Sequence, residues 1–154
     1  MGRLIGIARR DRKRGPMQEL TSADVVTSAG VAEDFRGRPG QRQVTVISAE
    51  DWRAACRDVD ADLPWTTRRA NLLVEDVDLP QEAGRILRIG ETRLEITMET
   101  DPCSRMDEQH DGLTAALTPD WRGGVCCRVI DGGSVRIGDP VSVEAGAGPA
   151  TTSE

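Results

Sequence analysis

Residues 124–144 read GVCCRVIDGGSVRIGDPVSVE, and this stretch decides the fold class. Its apolar runs are short and rich in valine and isoleucine, as is typical of β-strands. Two turn sequences, Asp131-Gly132-Gly133 and Gly138-Asp139-Pro140, separate the runs. The pattern therefore predicts consecutive short strands joined by tight turns, at residues 124–130, 134–137 and 140–144.

The same succession of short apolar runs and turns extends back to the N-terminus. The chain has 154 residues and 16 glycines, several of which lie in turns between these runs. Many short strands with glycine-rich turns are typical of a small β-barrel, so we expect a mainly β protein. The further predicted strands are residues 3–8, 24–28, 43–48, 71–75, 85–89 and 93–97.

Helical patterns are scarce. Ser48 is followed three residues later by Asp51 and then by small and apolar residues at helical spacing, which predicts a helix over residues 48–57. A shorter helix is predicted over residues 112–117, because Pro119 stops its apolar pattern. We therefore expect a β-barrel with one or two short helices.

The end of the chain lacks the apolar pattern of the rest. Residues 145–154 are small or polar and show no periodicity. Such a segment cannot bury enough apolar surface to offset the entropy lost on ordering. We expect one domain over residues 1–144 and a disordered tail over residues 145–154.

The charge balance and composition exclude several classes of partner. With 26 acidic and 20 basic residues, the net charge of −6 repels the phosphate backbone of nucleic acids. No apolar run approaches the roughly 20 residues that a membrane-spanning helix requires. The N-terminal segment is not built like a signal peptide, and the 4 cysteines have neither zinc-site nor disulfide-framework spacing. We expect a cytoplasmic protein that binds neither nucleic acid nor membranes.

Arginine dominates the basic residues, since Lys13 is the only lysine in the sequence. Arginine suits bidentate recognition of phosphate or carboxylate, although a GC-rich genome produces the same bias. The sequence has no phosphate-binding P-loop, dinucleotide fingerprint or nucleophile elbow. Arginine-bearing loops at residues 41–43, 68–71, 103–105 and 121–124 lie beside predicted strands, and a barrel that gathers them at one rim would form a pocket for an anionic ligand.

Cys103 is the residue most suited to carry chemistry. It follows Pro102 directly after a predicted strand, where a loop can present a side chain outward. Arg105 could stabilise its thiolate, which is the form that acts as a nucleophile or soft-metal ligand, although Asp101 and Asp107 oppose this. From spacing alone, an inert buried cysteine is the alternative.

The other cysteines and the single histidine favour structural roles. Cys126 and Cys127 lie in an apolar run, where they would point to opposite faces of a strand as small hydrophobic residues. Cys56 ends the first predicted helix and is interpreted in the same way. His110 lies in an acidic, polar stretch, which indicates a solvated loop residue rather than a catalytic base.

The order of the motifs resembles that of the MOSC domain, the C-terminal domain of molybdenum cofactor sulfurases, which also occurs as free-standing bacterial proteins. The resemblance runs from about residue 2 to residue 144. It is specific as a combination of short motifs rather than through any single one. The matching segments are RQVTVI at 42–47, RRANL at 68–72, PCSR at 102–105, RGGV at 122–125 and GDPV at 138–141.

The resemblance implies a β-barrel tied to sulfur transfer or to binding of the molybdenum-pyranopterin cofactor. The family's invariant cysteine would be Cys103, as the catalytic residue and the metal ligand. No pyridoxal phosphate is expected, because in the sulfurases that group belongs to a separate domain. The side chains expected to line the cofactor pocket are Asp34, Arg42, Arg68, Arg69, Asn71, Arg105 and Arg128.

One segment departs from the family. Free-standing members commonly carry a Gly-Asp-Arg-His type sequence, whereas this chain has Glu33-Asp34-Phe35-Arg36. The aspartate is kept, but the second glycine and the histidine are lost. A proton-donor role for that histidine is therefore not carried over to this chain.

Three functional hypotheses follow from the resemblance. In the first, the protein binds molybdenum cofactor through Cys103 and supports reduction of an N-hydroxylated small molecule, with electrons from a separate reductase. In the second, Cys103 carries a persulfide received from a sulfur donor. In the third, the barrel is a non-catalytic binding module.

Overall fold

The computed structural model describes residues 2–35 and 38–144. Short strands account for most of the regular structure in these ranges, as the sequence predicts. The strands are β1 (Gly2–Arg9), β2 (Gln18–Leu20), β3 (Ser22–Val26), β4 (Gly30–Val31), β5 (Val44–Ser48), β6 (Leu72–Glu75), β7 (Ile86–Ile89), β8 (Thr92–Glu99), β9 (Val125–Asp131), β10 (Gly133–Arg136) and β11 (Pro140–Val143). The helices are α1 (Ala49–Asp58), α2 (Ser104–Gln109) and α3 (Leu113–Leu117), with 3-10 turns at Trp65–Arg68 and Pro119–Trp121.

Seven of the strands close into a barrel. Their order is β1-β6-β5-β9-β8-β7-β11, and β11 pairs again with β1, where Gly2 lies opposite Val141. The neighbouring strands run antiparallel except β5 and β6, which are parallel. β2 extends the sheet from the far end of β1, and β10, β3 and β4 form a second, smaller sheet. Closure removes the free edges of the barrel sheet itself, on which another chain could pair.

Side-chain alternation sorts the barrel strands into an inner and an outer face. In β9, Val125, Cys127 and Val129 join the apolar core of the barrel. Cys126 and Arg128 therefore point to the outer face, because successive strand residues face opposite sides. β5 alternates in the same way, with Val44 and Val46 in the core.

The parallel pair needs a crossover, and this crossover carries α1, whereas α2 and α3 lie in the connection between β8 and β9. α1 begins at Ser48, whose Oγ accepts a hydrogen bond from the Asp51 backbone N–H at 3.0 Å, as the sequence predicts. Trp52 of α1 packs with Ile47 on the outer face of the barrel, in a second apolar cluster. α2 and α3 contribute Met106 and Leu117 to that cluster. The helices thus cover one side of the barrel wall.

The structure confirms the mainly β barrel and adds elements that the sequence did not indicate. All nine predicted strands are present, with ends that differ by at most two residues. Both predicted helices are present, and α2 is a third one, in a segment predicted to be a loop. The two-residue and three-residue strands β4 and β2 were not predicted. The tail predicted at 145–154 lies outside the described residues.

No helix within the described ranges is long and apolar enough to cross a membrane.

Candidate functional site

A pocket of about 310 Å³ lies against the outer wall of the barrel, beside the helical layer. Thr45 of β5 and Cys126 of β9 are directly paired across the two strands, and both line it. The 3-10 turn at Trp65–Arg68 and the start of α2 contribute further lining residues. The pocket is therefore built on outward-facing strand residues and not inside the barrel.

The lining of the pocket is strongly basic although the protein is acidic. Three acidic side chains, Asp34, Asp101 and Glu108, also line it. A local excess of three positive charges, in a chain of net charge −6, points to an anionic ligand. The six lining arginines are Arg10, Arg14, Arg42, Arg68, Arg69 and Arg105.

Cys103 lies at this pocket with an exposed side chain. It immediately precedes α2, and its carbonyl oxygen accepts hydrogen bonds from the Met106 backbone N–H at 2.9 Å and from Thr114 Oγ1 at 2.7 Å. These bonds fix the backbone while leaving the thiol accessible. The prediction of an accessible Cys103 is confirmed.

Arg68 is a buried residue near Cys103 that clamps two backbone segments together. Its Nε donates to the Gly123 carbonyl at 3.1 Å and its Nη2 to the Thr100 carbonyl at 2.9 Å. Burial lowers the pKa of Arg68, and the nearby thiols of Cys103 and Cys126 act in the opposite direction. Arg68 thus joins the end of β8 to the start of β9, and its remaining N–H groups are available to a ligand.

Arg69 and Asn71 hold the walls of the pocket together. Arg69 adopts a left-handed conformation with φ 68° and donates to the carbonyl of Gly15. Asn71 accepts from the Thr45 backbone N–H at 3.0 Å and donates to the Ala8 carbonyl at 3.2 Å. Because its side-chain amide bonds to β1 and β5, Asn71 is primarily a structural residue of the pocket.

Asp34 and Arg42 lie where the sequence predicts, on the pocket lining. Asp34 Oδ1 accepts from the Arg10 backbone N–H at 3.1 Å, which joins the segment after β4 to the end of β1. Arg42 is exposed at the border between this pocket and a neighbouring groove. Arg36, in the segment that departs from the family, lies outside the described residues.

Three other residues that the sequence analysis discussed do not line this pocket. Arg128 is exposed on the barrel wall and its Nε pairs with Glu95 at 2.5 Å, so its prediction as a pocket residue is not supported. Arg122 binds Asp58 at 2.6 Å and thereby joins two helical segments. His110 contacts the backbone carbonyl of Asp111 at 3.0 Å, as expected for a loop residue.

Cys126 has a role that the sequence analysis missed. It is fully buried, as predicted, yet it forms part of the pocket floor, where its Sγ lies 3.2 Å from Thr100 Oγ1. Cys127 packs in the barrel core, where burial raises the pKa of its thiol. The prediction that Cys126 and Cys127 face opposite sides of the strand is confirmed. The same alternation of side chains could have indicated that Cys126 shares the outer face with Thr45.

Thiol accessibility gives a direct check of this arrangement. We expect a disulfide reagent to modify one cysteine of the native protein rapidly, because Cys103 is exposed and the other three cysteines are buried. All 4 should react after denaturation. Mass spectrometry of the labelled peptides identifies the site, and fast labelling of Cys56 or Cys127 in native protein would contradict the described packing.

Comparisons with known proteins agree with this architecture. A family model described as MOSC domain matches residues 21–142. The fold is similar to the YUAD protein from Bacillus subtilis, with a TM-score of 0.76 and 18% identity over 93% of this chain and 96% of that one. It is also similar to YiiM from Geobacillus stearothermophilus, with a TM-score of 0.75 and 15% identity over 96% and 78% of the two chains. YiiM from Escherichia coli is similar as well, with a TM-score of 0.69 and 14% identity over 93% of this chain and 70% of that one. No curated protein matches the sequence.

Proposed function

Because the chain belongs to the MOSC domain family, we propose that it binds molybdenum cofactor in the arginine-lined pocket and supports reduction of N-hydroxylated small molecules. One observation carries the proposal. The exposed thiol of Cys103 lies in the same pocket as six arginines, which combines a soft-metal ligand with an anion site. These are the two chemistries that a metal held by a phosphorylated organic group requires.

The residues of the pocket fit such a group. The described ranges contain no cluster of three or more histidine, cysteine or acidic side chains that could hold a bare metal ion. A metal beside Cys103 would therefore take its other ligands from a cofactor. The volume of about 310 Å³ is at the lower end of the roughly 300–1,000 Å³ of small-molecule sites.

Each residue would contribute binding or positioning. Cys103 would supply the thiolate to the metal, and Arg69 and Arg105 would bind the phosphate with charge-assisted hydrogen bonds. Arg68 would hold the two strand ends together near Cys103 and direct its remaining N–H groups to the same phosphate. When bound, the cofactor supplies a two-electron redox centre, and the protein supplies orientation and electrostatics.

Metal analysis tests the proposal. The protein is produced in a host that makes molybdenum cofactor, and molybdenum and released pterin are measured per chain. We expect both in comparable amounts in the purified protein, and reduction of an N-hydroxylated base by a chemical reductant. Protein that holds neither molybdenum nor pterin would contradict the proposal.

A sulfur-carrier role is the second candidate, and the exposure of Cys103 favours it as well. A persulfide on Cys103 would make the protein one sulfur atom heavier, and this atom would be released by a thiol reductant. Intact mass with and without reductant separates the two functions, because a persulfide forms in a host that lacks the cofactor. A protein that holds neither sulfane sulfur nor molybdenum would support the third hypothesis, a non-catalytic binding module.

We also propose a cytoplasmic location, which free cysteines support.

A further inference from the structure

A second, more open depression adjoins the cofactor pocket. This basic groove is lined by Lys13, Arg38 and Arg42, together with Phe35 and Met98, and its volume is about 790 Å³. Arg42 lines both the groove and the pocket, so the two cavities adjoin at that side chain. The groove is therefore the surface next to the site where the proposed reduction would occur.

The groove combines charge with apolar surface. Among the described residues, none of those that line it is acidic, although acidic residues outnumber basic ones in the sequence by 26 to 20. Phe35 is 37% exposed, as one of two large apolar side chains that the described residues expose, and Met98 also lines the groove. A basic surface around an exposed aromatic residue is typical of a protein–protein contact rather than of solvated charge.

Two contacts anchor the groove to the barrel. The Phe35 backbone N–H donates to the Arg10 carbonyl at 2.7 Å, next to the lining of the cofactor pocket. The Thr97 hydroxyl of β8 donates to the Gln41 carbonyl, which fixes the segment that carries Arg38 and Arg42. The surface thus has a defined position relative to Cys103.

We propose that the basic groove docks a small acidic electron-transfer protein of the flavodoxin or ferredoxin type. This inference rests on the proposed function, since reduction requires an electron source and no segment of the sequence resembles a flavin or iron-sulfur site. Each turnover takes two electrons from the carrier and two protons from solvent, breaks the N–O bond of the N-hydroxylated substrate, and releases the amine and water. The complementary charges favour an acidic carrier and accelerate its association.

The test uses the full chain with two double variants of equal charge change. Lys13→Glu with Arg38→Glu reverses the groove, and Arg53→Glu with Arg136→Glu reverses exposed charges elsewhere. Binding of a purified flavodoxin and of a purified plant-type ferredoxin is measured by calorimetry at low and high salt. We expect the groove variant to raise the Kd for the bound carrier by at least about tenfold and the control to leave it within about twofold.

A second readout separates docking from the proposed function. Reduction driven by a reduced viologen dye bypasses a docked protein, so the groove variant should lose activity with the carrier and keep it with the dye. If the groove variant lost the same fraction of activity with the carrier and with the dye, the docking proposal would be overturned, and the groove would instead lie on the path of the substrate. Binding of neither carrier, or tighter binding of a single-stranded oligonucleotide than of either carrier, would also overturn it. Absence of molybdenum from the parent protein refutes the proposed function independently of carrier binding.

Discussion

Replacing Cys103 with serine is expected to abolish retention of molybdenum cofactor. Serine keeps the size of the side chain but offers a hard, weakly acidic oxygen in place of a soft thiolate. Loss of a residue that hydrogen-bonds to a metal ligand typically lowers metal affinity about 10–100-fold. Loss of the ligand itself should therefore lower the affinity at least about 100-fold. Molybdenum and pterin per purified chain measure the effect.

The fold should survive this substitution. Cys103 is exposed, and the bonds around it involve its backbone carbonyl rather than its thiol. The matched control is Cys56→Ser, which changes a buried thiol of α1 outside the pocket and should keep the cofactor. A Cys103→Ser protein that holds as much molybdenum as the parent would remove Cys103 from the site.

Replacing Arg68 with methionine is expected to destabilise the protein as well as the site. The carbonyls of Gly123 and Thr100 would lose their donor, and a buried polar group without a partner costs about 1–3 kcal/mol. We expect the free energy of unfolding to fall by about 2–4 kcal/mol on this basis. Urea denaturation followed by tryptophan fluorescence measures the loss.

Arg105→Met provides the comparison for Arg68. Arg105 lines the same pocket with a partly exposed side chain, so its replacement should change the free energy of unfolding by no more than about 0.5 kcal/mol. Both variants should hold less cofactor. Equal stability of the two variants would show that the Arg68 clamp contributes nothing to the fold.

The strand pattern could be predicted because it depends on local chemistry. Short runs of valine and isoleucine between turn residues place β9, β10 and β11 within a residue or so, and the Ser48 cap places the start of α1. α2 was missed because its six residues have only Met106 buried, so it shows no apolar periodicity. Its position depends on α3, whose Thr114 binds the carbonyl of Cys103.

The site could be predicted only in part. Ordered motifs located Cys103, Arg68 and Arg69, but the sequence could not say that Arg68 would satisfy two backbone carbonyls. Arg128 was misplaced because, although it shares the outer face of β9 with Cys126, it lies two residues further along the strand, where it pairs with Glu95 instead of lining the pocket. Arg10 and Cys126 were missed because their place in the pocket comes from pairing between distant segments.

Closure of the barrel also constrains when the site can come into existence. The pairing of Gly2 with Val141 joins strands from opposite ends of the described chain, and such distant pairings carry a high loop-closure entropy. The pocket has the same dependence, because Thr45, Asn71 and Cys126 meet only when β5 has found both β6 and β9. A nascent chain therefore has no complete pocket before β9 is synthesised. Under the proposed function, cofactor loading would therefore follow the pairing of these strands and would report that they have folded.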